Sequence, residues 1–223
     1  SLTIAIVSLA VFIAWELRLA LSGRRPLFDL SLFKIGTFSW GNLTAATVAI
    51  GEFALLFVLP LYLINAYGTS IIQAGLILAA MALGAFVSGG LARHVAGKLG
   101  SAGTVILGLA LELVGVAALA YFMDPARSLL YLVAPLMLYG LGLGLASAQL
   151  TGTVLQGVPV GQSGQGSATQ SAVRQVGSAL GTAFSGGALA VGLSRALPNA
   201  LDGLGLPDDA VTEIVEVTKA SAG

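Results

Sequence analysis

Two long stretches of this chain carry no ionisable side chain: residues 53 to 92 and 128 to 173 hold no Asp, Glu, Lys or Arg. Apolar residues there surround the helix axis instead of marking one stripe, which is the pattern of a helix without a water-facing side. About 20 helical residues cross a ~30 Å hydrocarbon layer. By that measure the sequence predicts six membrane spans, at 2–21, 40–66, 72–92, 104–123, 129–155 and 167–193. Membrane β-strands would alternate apolar and polar positions over about 10 residues. These runs do not alternate, so the expected fold class is an all-α membrane protein.

Composition agrees. Charged residues make up 9% of the chain and apolar residues 57%, whereas a soluble domain carries about 25% charge. Thirty glycines, with many Ala and Ser, suit membrane helices that pack backbone against backbone. With no cysteine, disulfides, thiolate metal sites and cysteine nucleophiles are excluded. No Ser-His-Asp set, carboxylate pair or metal-ligand cluster stands out. The expectation is therefore no enzyme, no metal, no cofactor and no nucleic-acid partner.

The basic residues between spans set an orientation. Arg18, Arg24, Arg25 and Lys34 follow the first span and Arg93 and Lys98 the third, so these loops are expected in the cytoplasm. The other side carries Asp124, Asp202, Asp208, Asp209, Glu213 and Glu216 with few bases. The first span lacks a basic n-region and is too long for a secretory h-region. Together with the initial Ser1, this reads as a piece of a longer protein. Residues 22–34, with Pro26 and the apolar Leu27, Phe28, Leu30, Leu32 and Phe33, are expected to form an interfacial helix. Spans two to four look like a three-helix unit. Spans five and six look like a second such unit lacking its last helix, as in repeat-built transporters.

Three ionisable residues interrupt apolar runs, where charge is costly and usually functional. Glu52 lies mid-span, where an ionised acid costs on the order of 3 kcal/mol. It is a candidate proton- or cation-responsive group; the alternative is a neutral acid bonding a neighbouring helix. Arg174 stays charged and must pair, snorkel or face water. It shares one helical face with Ser167, Ser171, Ser178, Thr182 and Ser185, at spacings of three and four, with Gln170 and Gln175 alongside. This stripe suits a hydrated pathway, while the adjacent Gly177 and Gly181 (GxxxG) suit a packing interface. Glu112 reads as a structural intramembrane charge. Gly140, Gly142 and Gly144 lack the GxGxxG spacing and a preceding strand, so they read as close helix packing. Asn42 and Thr44 fit a glycosylation triplet but fall inside a span, and His94 reads as a solvated loop residue.

The stretch GLGLGLASAQLTGTVLQGVPVGQSGQGSATQSAVRQVGSALGTA, residues 140–183, resembles the fifth and sixth segments of the C-terminal half of major facilitator superfamily exporters. The fourteen-helix drug:proton antiporter group is the part of the family it is most like. The features are Leu150-Thr151, Val158-Pro159, Gly164 and Gly166, Arg174-Gln175 and Ser178-Ala179-Leu180-Gly181, with PLFDLSLFK and FVLPLYL earlier. The family's basic loop motif after the third span survives only as Lys98-Leu99-Gly100, with Gly97 in the acidic position.

The resemblance implies the C-terminal bundle of a major facilitator fold with its last helix missing, plus one linker transmembrane helix. The divisions would be a linker span at 1–22, a cytoplasmic amphipathic linker at 23–37, a five-helix bundle at 38–193 and an extracytoplasmic acidic loop at 194–223. It also implies a multi-pass protein of the bacterial inner membrane that works by alternating access, exporting small lipophilic or cationic drugs against protons. Its partners would be the bilayer and the missing N-terminal half. Within that fold Glu52, Gln149 and Thr151 would reach the central cavity, Arg174, Gln175 and Gln170 would flank the pathway, and Glu112 would be peripheral. Export of an amino acid, lipid or other metabolite is the competing expectation, and a non-transporting assembly module the third.

Overall fold

A computed structural model of the protein describes residues 30–201, plus isolated helical positions at Val7, Ser8, Val11, Ala14, Trp15, Arg18, Ile214 and Val217. The expected first span, most of the interfacial linker and the acidic stretch after residue 201 lie outside the described residues. After a 3-10 turn at Leu30–Lys34 come four helices: α1 Gly36–Tyr67, α2 Ile71–Phe122, α3 Leu130–Leu155 and α4 Ser163–Leu201. Another 3-10 turn, Val160–Gln162, precedes α4. All four helices are long and apolar enough to cross a membrane, and no strand occurs among the described residues. The all-α membrane bundle is present.

Helix α2 corrects one expectation. Its 52 residues would make a rod of about 78 Å if straight, but Gly100 leaves helical geometry at φ 74° and ψ 165°, a region essentially restricted to glycine. The arms 71–99 and 101–122 fold back on each other, as their register against α3 shows. From Met81 to Ser88 the first arm meets Gly140 to Gly144 in the same direction, while from Gly108 to Gly115 the second meets Ala146 back to Tyr139. Thus α2 supplies two crossings and the described residues five in all. The loop expected around Arg93 and Lys98 is helical. Polar side chains there are exposed and solvated without unwinding the backbone, so the reversal needs only the one residue that tolerates positive φ.

A second correction lies in α4, which continues past the expected end at residue 193 to Leu201. Polarity after Leu193 marks where the chain leaves the apolar layer. Arg195, Ala196 and Leu197 are good helix formers and carry the coil onward.

The turns alternate between two ends. At one, Gly68 (φ 65°) caps α1 by donating to the Leu63 carbonyl, and the Thr69 hydroxyl donates to the same oxygen at 2.8 Å. Ser70 and Gln73 then form a reciprocal capping box that starts α2. The Tyr67 hydroxyl donates to the Asp124 carbonyl at 2.6 Å, tying this turn to the one after α2. At the other end, Gly157 lies against Ile35 and Thr37, and Gly166 against Leu155 and Phe38. A buried cluster of Leu32, Phe38, Val105, Leu150 and Val154 fills that end.

Glycine sets the close approaches. A methyl group on Gly140 would run into the Met81 carbonyl, and one on Gly144 into Ser88 and the Ala85 carbonyl. This is the packing role expected for the Gly140, Gly142 and Gly144 run: α3 is clasped between the two arms of α2. The outward surfaces stay apolar, with Phe86 82% and Leu130 75% exposed. Such surfaces are stable facing acyl chains and would be an aggregation hazard in water.

Candidate functional site

Helices α1 and α4 run side by side in parallel. Gly177 sits on Ala46 and Ala49, Gly181 on the Ile50 backbone, and Gly186 near Phe57. The register advances in the same direction along both helices, as parallel packing requires. The GxxxG pair therefore forms an interface, allowing the backbones to approach where a larger residue would collide.

That approach brings together two of the three intramembrane charges. Arg174 Nη2 lies 3.8 Å from Glu52 Oε2, with the side chains 35% and 18% exposed. Glu52 stands at the middle of α1. The separation is that of an ion pair, longer than the ~2.7–2.9 Å of a charge-assisted hydrogen bond, and Glu52 Oε2 has no hydrogen-bond partner. Each charge compensates the other where lipid offers no hydration. The pair is in contact but not clamped by shared hydrogen bonds, so it can be made and broken.

Two hydroxyls of the polar stripe on α4 are satisfied by their own helix. The Ser178 hydroxyl donates to the Gln175 carbonyl at 2.8 Å and Thr182 to the Ser178 carbonyl at 3.0 Å. Ser178 and Ser185 are buried, while Ser171 is exposed. One face thus serves both the α1 contact and an open flank. Gln170 is buried at 3% exposure with its Nε2 unpartnered. On α1, buried Asn42 donates to the Phe38 carbonyl at 2.8 Å and leaves Oδ1 unpartnered. Both lie on the α1–α4 ridge between the Gly166–Phe38 and Gly177–Ala46 contacts. An unused acceptor and an unused donor thus share one stretch of interface. A buried Asn inside a span, four residues after its own acceptor, was the signal that sequence reading passed over.

Gln149 and Thr151 are not drawn to the ion pair. Gln149 is half-buried on α3, its carbonyl accepting from the Thr153 hydroxyl at 2.9 Å, and Thr151 is exposed. Gln175 is exposed on α4.

Glu112 occupies a different place. It is 8% exposed with Oε1 unpartnered, pressed against Gly142 of α3. It lines a groove of about 720 Å³ between α1 and the second arm of α2, opposite Thr44 and Thr47, with Tyr139 also on its wall. Neither Thr44 nor Thr47 was singled out for this role, because each looks like an ordinary small residue of a membrane helix. Both hydroxyls donate to their own helix, to the Trp40 and Leu43 carbonyls. Among the described residues no group of three or more His, Asp or Glu could hold a metal ion.

Comparison with known proteins supplies the family. Residues 2–182 match the family model of the Major Facilitator Superfamily. The chain is 29% identical to "Multidrug resistance protein Stp" of Mycobacterium tuberculosis over 193 residues, covering 86% of the chain and 35% of that protein. It is 32% identical to "Riboflavin transporter RibZ" of Clostridioides difficile over 189 residues, 82% of the chain and 40% of that protein. With a "Tetracycline resistance determinant" of Streptomyces rimosus the identity is 29% over 179 residues, 78% of the chain and 50% of that protein. The chain thus spans half or less of the length of these relatives. The match to the family model and the bundle of long apolar helices agree: this multi-pass membrane chain belongs to the major facilitator superfamily.

Proposed function

We propose that the chain is the C-terminal part of a proton-coupled efflux transporter for small molecules, embedded in the bacterial inner membrane and working by alternating access. The observation that carries this reading is the Glu52–Arg174 pair at 3.8 Å, midway along α1. A proton arriving at Glu52 cancels its charge and leaves Arg174 without a counter-ion. Arg174 then gains by turning to water, which favours whichever conformation opens a hydrated path beside α4. Loss of the proton on the opposite side restores the pair and the other conformation. A ligand biases such an equilibrium only through its different affinity for the two states, and protonation of one member of an ion pair supplies that difference. Gln149, Thr151, Gln170 and Gln175 are the polar contacts along the route, with rigid-body rocking against the N-terminal half completing the cycle. The two resistance relatives support drug-like cargo.

The test is efflux by the complete gene product in inside-out vesicles, with several dye classes and with or without a proton gradient. Gradient-driven efflux of a lipophilic cation is expected from the native protein and is expected to fall to the empty-vesicle level in Glu52→Gln. Native rates in that variant would reject Glu52 as the coupling group. A second reading, metabolite export, is favoured by the riboflavin transporter relative. Accumulation of riboflavin but of no cationic dye would select it.

A further inference from the structure

A second recess, of about 570 Å³, lies beside the Gly100 reversal at the end of the first α2 arm, lined by Gly90, Arg93, His94, Gly97 and Lys98. It shares no residue with the Glu52–Arg174 pair or with the Glu112 groove. At about 100° per helical residue, Gly90 and Gly97 fall within about 20° of each other. Arg93 stands about 60° to one side of Gly90, and His94 and Lys98 about 40° and 80° to the other. The face is therefore a glycine trough with a permanent cation on each edge. A Cβ at Gly90 or Gly97 would meet nothing within 4 Å, so the trough is open down to the helix backbone.

Three observations bear on what the trough takes. The first is missing counter-charge. Among the described residues neither Arg93 nor Lys98 has a carboxylate in ion-pair range, and no Asp or Glu occurs from residue 53 to residue 111. The second is the surface that continues the trough into the apolar layer. Leu83, Phe86 and Val87 are exposed on the same helical face, while Gly84 and Ser88 turn toward α3. From Leu83 to Arg93 the arm rises about 15 Å, the depth of one leaflet of a ~30 Å hydrocarbon layer. The third is position. Lys34, Arg93 and Lys98 share the end that the positive-inside bias assigns to the cytoplasm, where anionic lipids attract basic side chains. An apolar strip one leaflet deep that ends in two uncompensated cations complements a phospholipid along its whole length.

We propose that the Gly90–Gly97 trough binds the phosphate headgroup of an anionic phospholipid, whose acyl chain lies along Leu83, Phe86 and Val87. Arg93 offers the planar fork of donors that suits phosphate oxygens, and Lys98 a point charge from the opposite edge. His94 adds a further hydrogen-bonding group beside Lys98. The two glycines let the phosphate settle between these side chains. A zwitterionic lipid carries a phosphate too, but its own ammonium offsets the attraction, so the site selects a headgroup of net negative charge. This lipid site is separate from the coupling role proposed for Glu52.

The test uses the complete polypeptide in nanodiscs of phosphatidylcholine with a minority of phosphatidylglycerol, and native mass spectrometry reads the lipid that stays bound. Phosphatidylglycerol is expected to be enriched on the native protein over its share of the nanodisc; no enrichment overturns the proposal. Arg93→Gln and Lys98→Gln are each expected to cut the enrichment about fivefold, the worth of one basic residue at an anionic surface. Lys34→Gln removes the same charge from the same end outside the trough and is expected to change nothing. Equal losses in all three variants overturn the site, because they report surface charge alone. Gly90→Leu fills the trough without altering charge and is expected to lower the enrichment, whereas Gly75→Leu, also in open space, is not. Equal retention in both overturns the trough. Every substituted position is exposed, so each variant is expected to keep the native thermal midpoint in pure phosphatidylcholine, and a loss of lipid then reports binding. Complete displacement of the lipid by excess inorganic phosphate would make this a site for the soluble anion and overturn the lipid assignment. A carbodiimide crosslink joining Lys98 to an Asp or Glu elsewhere in the polypeptide would give the cation a protein partner, with the same consequence.

Discussion

The Arg174 guanidinium stands 3.8 Å from the Glu52 carboxylate and joins α4 to the midpoint of α1. Removing one partner leaves the other uncompensated in the apolar layer. For a fully buried pair that costs about 3–5 kcal/mol. Arg174 is 35% exposed, and screening discounts the figure to about 1–3 kcal/mol. Arg174→Gln and Glu52→Gln are each expected to lower the thermal midpoint of the purified full-length protein. The double variant, carrying neither charge, is expected to recover most of the loss. Additive losses in the double variant would show that the two side chains act separately.

Asn42 and Gln170 offer a second test of the α1–α4 contact. Their unpartnered Oδ1 and Nε2 lie on one stretch of the interface, and a shared hydrogen bond or bridging water would satisfy both. A double-mutant cycle with Asn42→Leu and Gln170→Leu is expected to give a coupling of about 0.5–1.5 kcal/mol, the net value of one hydrogen bond. A coupling of zero by thermal or denaturant unfolding would place their partners elsewhere.

Helix α3 tolerates no side-chain growth at Gly140, Gly142 or Gly144. Gly140→Val would drive a branched side chain into the Met81 carbonyl, an overpacking cost of about 1–3 kcal/mol or more. The variant is expected to accumulate poorly in membranes. Gly75→Ala, in open space, is expected to be neutral or to stabilise by up to about 1 kcal/mol through helix propensity. Immunoblots of membrane fractions with thermal unfolding distinguish the two outcomes.

The reversal at Gly100 is also open to measurement. Its φ of 74° with ψ 165° costs any residue with a Cβ about 1–3 kcal/mol. Gly100→Ala is expected to destabilise by that amount, although nothing within 4 Å would touch the new methyl. An unchanged thermal midpoint would show that the two arms can turn without this geometry.

Much of the architecture was legible from residue order alone. Lipid demands that every backbone polar group be satisfied within its own segment, so five long apolar runs, three of them with a single charge inside, could only become the five described crossings. The close-packing role of Gly140, Gly142 and Gly144 followed from their place inside an apolar span. The turn of α2 at Gly100 falls within the loop expected between residues 92 and 104, but helix runs up to it and α4 runs past residue 193, because polarity reports the edge of the membrane whereas backbone dihedrals report the end of a helix. Gly100 and Leu201 show that the two need not coincide.

The sequence by itself also named Glu52, Arg174 and Glu112, since charge in hydrocarbon is rare enough to be seen without coordinates. It could not say which of them meet. That depends on the crossing and register of α1 against α4, set by the small residues Gly177 and Gly181 at a contact 131 positions distant from Ala46 and Ile50. Only the tertiary structure paired Glu52 with Arg174 and put Glu112 against Gly142 in the groove beside α1, within electrostatic reach of Glu52. A helix's own sequence reports its faces, but the neighbour each face receives is decided by how all the helices share the same volume.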